Sequence, residues 1–279
     1  MYGNKPEFLA RLARTECFAL DMDGTFYLGD QLIPGALQFV QAARRSGRRV
    51  VFLTNNSSKS ADFYRRKLAR MGLPIGPEEI LTSGQATALY LNRERPGRRV
   101  YVMGNPILKG EMADMGVQVV EEDPDLCVIA FDTTLDYAKL TKVCDYIRNG
   151  MDFIATHPDF NCPTETGFIP DIGAMLAFIK ASTGREPRMI VGKPHGEIVR
   201  ALCQQTGLPP EAMAMVGDRL YTDVATGVDH GLLAILVLSG ETQLKDVETS
   251  PVTPHLIFDR LGDMTELIEE VPARARDGF

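Results

Sequence analysis

The apolar positions of this chain come in short runs, most of which end in a polar residue followed by a helix signal. The first run, Phe18-Ala19-Leu20, leads straight into Asp21-Met22-Asp23-Gly24-Thr25. Pro34 then opens a helix with Ala36, Val40 and Ala43 on one face, and Gly47 closes it. Val50-Val51-Phe52-Leu53 reads as a buried strand that ends in Thr54-Asn55-Asn56-Ser57-Ser58. A helix from Ser60 to Met71 follows, stopped by Gly72, and Thr82-Ser83-Gly84-Gln85 opens another. Strand and helix alternating in this way predict an α/β fold with a parallel sheet covered on both faces.

The rhythm changes between Thr87 and Arg188. Arg93-Glu94-Arg95-Pro96-Gly97 is a linker-like break. Strands are predicted at Val100 to Met103, Val117 to Val120, Cys127 to Phe131 and Phe153 to Thr156, and helices at Leu108 to Met115, Ala138 to Asn149 and Ile172 to Thr183. That is enough for a smaller α/β domain of its own. The first rhythm resumes with Met189-Ile190-Val191-Gly192-Lys193-Pro194, a strand ending in a lysine, and a helix from Gly196 to Thr206. Ala212 to Val216 is a strand leading to Gly217-Asp218-Arg219, and Thr222-Asp223 opens the next helix. Leu232 to Leu238 and His255 to Phe258 supply further strands, and Ala273 to Phe279 reads as a frayed tail. The expected organisation is a core in two segments, 1–86 and 189–279, with 87–188 inserted between them.

Composition narrows the function classes. A length of 279 residues sets a prior of about two domains. The net charge of −7 argues against non-specific nucleic-acid binding, which needs a basic face. It leaves phosphate ligands open, because a metal and a few local cations outweigh the global field. Met1 to Thr15 is charged throughout and predicts no signal peptide, and the longest apolar runs, such as Leu232 to Leu238, are too short to span a bilayer. The five cysteines are odd in number and form no C-x-x-C pair, which fits free thiols in a reducing cytosol.

Four predicted strand ends carry the candidate chemistry. Alternate side chains of an extended segment point the same way, so Asp21 and Asp23 share a side while Met22 turns away. Two carboxylates this close repel unless a cation or a shared proton relieves them, and hard divalent cations prefer oxygen ligands. Taken singly, each strand end has a structural explanation: a Thr54 helix cap, a surface Lys193, an Asp218–Asp223 loop with a cap. In one parallel sheet all four converge on the carboxyl edge, where α/β folds bind ligands. Together they predict a phosphoryl-transfer site. Asp21 is its nucleophile and Asp23 its acid and base. Thr54 and loop N–H groups bind phosphoryl oxygens, Lys193 neutralises charge, and Asp218, with Asp223 behind it, completes a metal shell.

These residues carry a resemblance. Asp21-Met22-Asp23-Gly24-Thr25, Leu53-Thr54-Asn55-Asn56, Gly192-Lys193-Pro194 and Gly217-Asp218-Arg219-Leu220-Tyr221-Thr222-Asp223 resemble the motif set of the haloacid dehalogenase superfamily. Ala155-Thr156-His157-Pro158-Asp159 with Asn161-Cys162-Pro163 is similar to its NagD-like and p-nitrophenyl phosphatase branch. The resemblance implies a Rossmann-like core with an inserted C2-type cap. It also implies Mg²⁺ held by Asp21, the main-chain carbonyl of Asp23, Asp218 and, directly or through water, Asp223. Phosphate would be bound by Gly24, Thr54, Asn55 and Lys193, and the reaction would pass through an aspartyl-phosphate. The implied enzyme is a cytoplasmic phosphatase of small soluble phosphate esters that acts on neither nucleic acid nor membrane and forms a homodimer through the cap. The loop from His157 to Pro163 is expected to set specificity, with Asp159 and Asn161 either contacting substrate or bracing the turn. A phosphotransferase of the same fold and a non-catalytic phosphate-binding protein remain as alternatives.

Overall fold

Cys17–Leu20 is a fully buried strand in the computed structural model, which describes residues 4–164 and 167–269. It sits inside a six-stranded sheet of order Leu256–Phe258, Leu233–Val237, Met213–Gly217, Cys17–Leu20, Arg49–Thr54, Ile80–Thr82. The pairings from Leu256–Phe258 through Arg49–Thr54 are parallel. Every residue of Met213–Gly217 and Leu233–Val237 is buried, which is why these strands read as continuous apolar runs rather than as alternating ones. The helix Ala36–Arg45 buries Ala36, Phe39, Val40, Ala42 and Ala43, a helical spacing, and Phe39 meets Phe18 edge to face with centroids 5.1 Å apart. Truncating Phe39 to Ala would cost about 3–5 kcal/mol. Gly35 precedes this helix at φ 84, a left-handed position that suits glycine.

The chain divides into two compact units. The first holds 1–53, 65–80 and 202–279; the second holds 54–64 and 81–201. The second unit thus takes in the loop after Thr54 and the segment around Lys193 as well as the stretch where the rhythm changes. It has its own five-stranded parallel sheet, of order Met189–Ile190, Phe153–Ala155, Leu126–Ile129, Arg99–Met103, Gln118–Val119. The helices Tyr137–Arg148 and Ile172–Thr183 bury Val143, Cys144, Ile147, Ile172 and Ile179 against Tyr101, Met103, Cys127, Ile129 and Phe153 of that sheet. Asp136 and Asp171 cap the two helices through their carboxylates.

One expectation needs correcting. Met189–Ile190 does not join the sheet of Asp21; it pairs with Phe153–Ala155 in the second sheet. The ladder continues past it, because the N–H groups of Val191 and Gly192 donate to the carbonyls of Ala155 and Thr156. A short apolar run carries no mark of which sheet it will enter, so only two of the other three strand ends can be compared directly with Asp21. Those are Thr54, the last residue of Arg49–Thr54, and Asp218, which follows Met213–Gly217.

Other departures are local. The helical stretch expected to open at Thr222-Asp223 begins at Leu220 with a wide turn over Leu220–Val224, where the N–H groups of both Asp223 and Val224 donate to the Arg219 carbonyl. A helix, Pro6–Arg14, and a hairpin, Asn161–Thr164 with Gly167–Pro170, are additional elements. The expectation for Ala273 to Phe279 lies outside the described residues. Among the described residues no helix is long and apolar enough to cross a membrane. All five cysteines are free, and burial pushes the Cys17 and Cys127 thiols up to about 12.

Candidate active site

The predicted site residues fall into two groups, one on each unit. On the first unit, the strand Cys17–Leu20 delivers Asp21, and its neighbour Met213–Gly217 delivers Asp218. Asp223 comes from the wide helical turn that follows. Each of Asp21, Asp218 and Asp223 offers a carboxylate oxygen within 4.8 Å of the others. Asp218 and Asp223 are almost fully buried. Burial first, and the charge of Asp223 second, push the Asp218 carboxyl up to about 7.

The groups around Asp218 answer only part of it. Its Oδ2 accepts the Glu241 N–H at 2.7 Å and its carbonyl accepts the Thr242 N–H at 3.2 Å. Its Oδ1 is buried and has no hydrogen-bond partner among the described residues. The backbone comes unusually close on two sides, since a Cβ at Gly24 or at Gly240 would collide with the Asp218 carboxylate. Gly24 also holds φ 82, so a side chain there would be strained twice over. The carbonyl of Gly24 accepts the Ser239 hydroxyl at 2.7 Å, which ties this turn to the loop carrying Gly240 and Glu241.

Asp23 stands apart from the three-carboxylate set. The turn that carries it is closed by N–H donors of Thr25, Phe26 and Tyr27 on the Met22 carbonyl. Its residue surface is exposed, yet protein surrounds the carboxyl on most sides, and that burial raises its pKa. Lys67, Arg219 and a hydrogen bond from Tyr27 pull the other way. A carboxyl lifted toward neutrality but still reachable suits a proton donor.

Two cations here went unassigned in the sequence. Arg219 pairs with Glu241 at 2.9 Å; burial alone would lower its pKa, but the charges of Asp21, Tyr221, Asp218 and Asp223 outweigh burial and raise it. Lys67 lies 3.8 Å from the Tyr27 ring centroid and 3.8 Å from Asp30. The signal for Arg219 was its place between Asp218 and Asp223; for Lys67, inside the helix Ala61–Arg70, the sequence held none.

On the second unit the node is Asn55, which is buried. Its amide nitrogen donates to both carboxylate oxygens of Asp159, at 3.1 and 3.2 Å, and to the Lys193 carbonyl at 3.0 Å. Its amide oxygen accepts the Lys193 N–H at 2.8 Å, and its carbonyl accepts the Ser83 hydroxyl at 2.5 Å. Both amide hydrogens are therefore committed, and the Asn55 side chain works as a clamp on the main chain of Lys193. Thr54 Oγ1 accepts the Asn56 N–H at 3.1 Å, and Asn56 Oδ1 accepts the N–H and hydroxyl of Ser58, so the loop is a run of short side-chain turns. Lys193 is buried, and its bond to Pro194 is cis. Asp159 accepts the Asn55 amide at both carboxylate oxygens and lies beside His157. Asn161 is exposed on the first strand of the hairpin. Ser57, missed in the sequence, joins Thr156 at 3.0 Å and accepts the Phe131 N–H.

A family model described as haloacid dehalogenase-like hydrolase matches residues 18–118, and a second HAD-like hydrolase model matches 190–264. The chain is 36% identical over 257 residues to an acid sugar phosphatase of Staphylococcus aureus, covering 92% of this chain and 98% of that one. Among solved structures it resembles a 4-nitrophenylphosphatase from Thermotoga maritima, with TM-score 0.90, 44% identity and coverage of 92% and 99%. It also resembles a glycerol phosphate phosphatase from Mycobacterium tuberculosis in complex with calcium, with TM-score 0.84, 31% identity and coverage of 91% and 76%.

Proposed function

From the premise that the chain belongs to the haloacid dehalogenase-like hydrolases, as a phosphomonoester hydrolase among them, we propose that it is a Mg²⁺-dependent phosphatase of small phosphorylated metabolites working through an aspartyl-phosphate. The observation that carries the reading is the acid cluster of Asp21, Asp218 and Asp223, with the orphaned Asp218 Oδ1 in a glycine-lined cradle. Three carboxylates in that space fit a hard divalent cation, and oxygen donors alone favour Mg²⁺ over softer metals. Asp21, the main-chain carbonyl of Asp23, Asp218 and Asp223 would hold it. When bound, the ion neutralises charge on the transferring phosphoryl group.

The chain's own residues do the rest. An Asp21 carboxylate oxygen attacks phosphorus, forming the aspartyl-phosphate, a mixed anhydride, as the phosphorus–oxygen bond to the leaving group breaks. The leaving oxygen takes the proton of Asp23. Asp23, now a carboxylate, removes a proton from water, whose oxygen attacks phosphorus and frees Asp21 with release of inorganic phosphate. Gly24, Thr54, Asn55 and Lys193 are assigned to the phosphoryl oxygens on their motifs, Asn55 through its main chain because its side chain is committed elsewhere. Such a site acts mainly by positioning and by charge stabilisation. The relatives, an acid sugar phosphatase, a 4-nitrophenylphosphatase and a glycerol phosphate phosphatase, support small esters as the substrate class. Stretch 87–188 is read as a specificity cap, with the exposed Asn161 a better candidate for substrate contact than Asp159. Cytoplasmic residence and a dimer through that cap complete the proposal.

The test is release of inorganic phosphate from a panel of sugar, polyol and aryl phosphates, with and without Mg²⁺ after chelation. Metal-dependent release from at least one small ester is expected. Undiminished release after exhaustive chelation, or no release from any member, would refute the reading.

A further inference from the structure

His157 is a fully buried ionisable side chain that the mechanism above does not use. It is wholly inaccessible, and its two ring nitrogens face two different carboxylates: Nδ1 lies 3.5 Å from Asp159 Oδ2, and Nε2 lies 3.6 Å from Asp171 Oδ1. Neither nitrogen makes a hydrogen bond among the described residues. The backbone that carries the ring is closely packed. The Thr156 carbonyl accepts the Gly192 N–H at 2.7 Å, and a Cβ on Gly192 would come within 2.7 Å of the His157 Cβ and 2.6 Å of Asn55 Oδ1.

Each carboxylate is anchored on its far side. Asp171 Oδ1 accepts the Ile172 N–H at 2.7 Å and so caps the helix Ile172–Thr183. Asp159 takes the Asn55 amide, and the same amide grips the carbonyl of Lys193 while its oxygen takes the Lys193 N–H. A continuous polar line therefore runs from a helix cap, through the imidazole, to the main chain of Lys193, all within the second unit.

A metal ion is the competing explanation for one histidine and two aspartates with ligand atoms within 4.8 Å of one another. It fits poorly. An imidazole binds an ion through one nitrogen, and both carboxylates would then gather at that nitrogen; here they sit at opposite nitrogens. A neutral ring fits poorly as well, since it would leave one bare nitrogen facing a carboxylate in a place water cannot reach. A ring protonated on both nitrogens turns an N–H toward each carboxylate, and the two flanking carboxylates compensate its buried charge.

We propose that His157 is a positioning residue: its ring, charged and donating from both nitrogens, braces Asp171 against Asp159 and thereby fixes the Asn55 clamp that sets the backbone at Lys193. The inference rests on the assignment of Lys193 to the phosphoryl oxygens. Loosening the brace displaces Lys193 without touching the nucleophile, so it lowers turnover and weakens inorganic phosphate as an inhibitor while Asp21 still forms its acyl phosphate.

The experiment has two arms. The first is two-bond ¹H–¹⁵N spectroscopy of the histidine rings of the whole protein at neutral pH. The chain has four histidines, so the signal of His157 is identified by its loss in His157→Gln. The doubly protonated pattern is expected. A single-tautomer pattern, or a pattern that changes when Zn²⁺ or Mg²⁺ is added to the chelated protein at this ring alone, would overturn the proposal.

The second arm is a double-mutant cycle of His157→Gln and Asp171→Asn, read as kcat and as the inhibition constant of inorganic phosphate. Asn still caps the helix but removes the charge the ring answers to. Each variant is expected to lower kcat about 10- to 100-fold, as displaced positioning groups do. The double variant should be no worse than the poorer single one, because both cut the same line. Full additivity, or wild-type kinetics in a folded His157→Gln, would overturn the proposal. Wild-type protein that releases no phosphate would instead strike the parent assignment and leave the spectroscopic arm to decide the brace.

Discussion

The two polar clusters of this molecule are built on opposite principles. On the first unit, Asp21, Asp218 and Asp223 crowd like charges together and leave a buried Asp218 oxygen without a hydrogen bond among the described residues. On the second, Asn55 has its amide hydrogens and its amide oxygen answered by Asp159 and Lys193. Buried polar groups that answer each other rigidify a structure; buried charges that repel each other persist when something else relieves them. On the function proposed, the first cluster is assigned the chemistry and the second the frame that holds groups for it. The roles assigned above follow that division, and each experiment below tests where the line falls.

The largest effect is expected at Asp21, the proposed nucleophile. Asp21→Asn replaces a carboxylate by a poor nucleophile and removes one charge from a repelling set, so turnover should vanish while the far-ultraviolet circular dichroism and the melting temperature hold. Multiple turnover by that variant would erase the distinction, since it would place chemistry elsewhere. Asp23→Asn should reduce kcat by at least about 100-fold, the lower end for losing an acid–base group. The loss should be smaller for aryl than for alkyl phosphates, whose leaving groups need the proton more; equal losses would remove Asp23 from the proton path.

Stability sharpens the contrast because the signs differ. Asn55→Ala leaves Asp159 and the main-chain groups of Lys193 without their partner and should destabilise the protein by about 1–3 kcal/mol, the cost of orphaning buried polar groups. Asp218→Asn should raise the melting temperature of chelated protein, because it deletes a charge pushed against Asp223. Urea titrations of both variants without metal would decide; destabilisation of equal size in both would mean that the acid cluster is scaffold too.

Much of this was legible in the sequence, for identifiable reasons. The buried strands Cys17–Leu20 and Met213–Gly217 are fully apolar and are followed by acids, so run length located the strands and the acids at their ends. The helices Ile172–Thr183 and Gly196–Thr206 were readable to the residue from their spacing and from Gly184 and Gly207 behind them. What escaped was set by partners distant in sequence. Met189–Ile190 is too short to declare its sheet, and Asn55 meets Asp159 and Lys193 104 and 138 positions away. Pro6–Arg14 carries charges at many positions and buries only Leu12, so its pattern resembled an ordinary polar terminus. The hairpin Asn161–Thr164 with Gly167–Pro170 is exposed on nearly every residue, and alternation has no inside to report there.

The smallest effect, and the one that reads the acid cluster most directly, is its pH dependence. The folded pKa of Asp218, about 7, lies above the value of an unfolded aspartate. Between the two values the folded protein binds the extra proton, so stability falls as pH rises through that window. Chelated protein should therefore melt at a lower temperature at pH 8 than at pH 5 by a margin that Asp218→Asn removes. The sign is opposite to that of a salt-bridged carboxylate, whose contribution is lost as pH falls. Saturating Mg²⁺ should flatten the same slope, because a cation at the cluster holds Asp218 ionised at both pH values. The Asn55 node supplies the control: Asn55→Ala should shift the whole curve downward and leave its slope alone, since no proton is exchanged at the amide. A slope that survives Asp218→Asn would assign the titration to another group and dissolve the electrostatic half of the comparison.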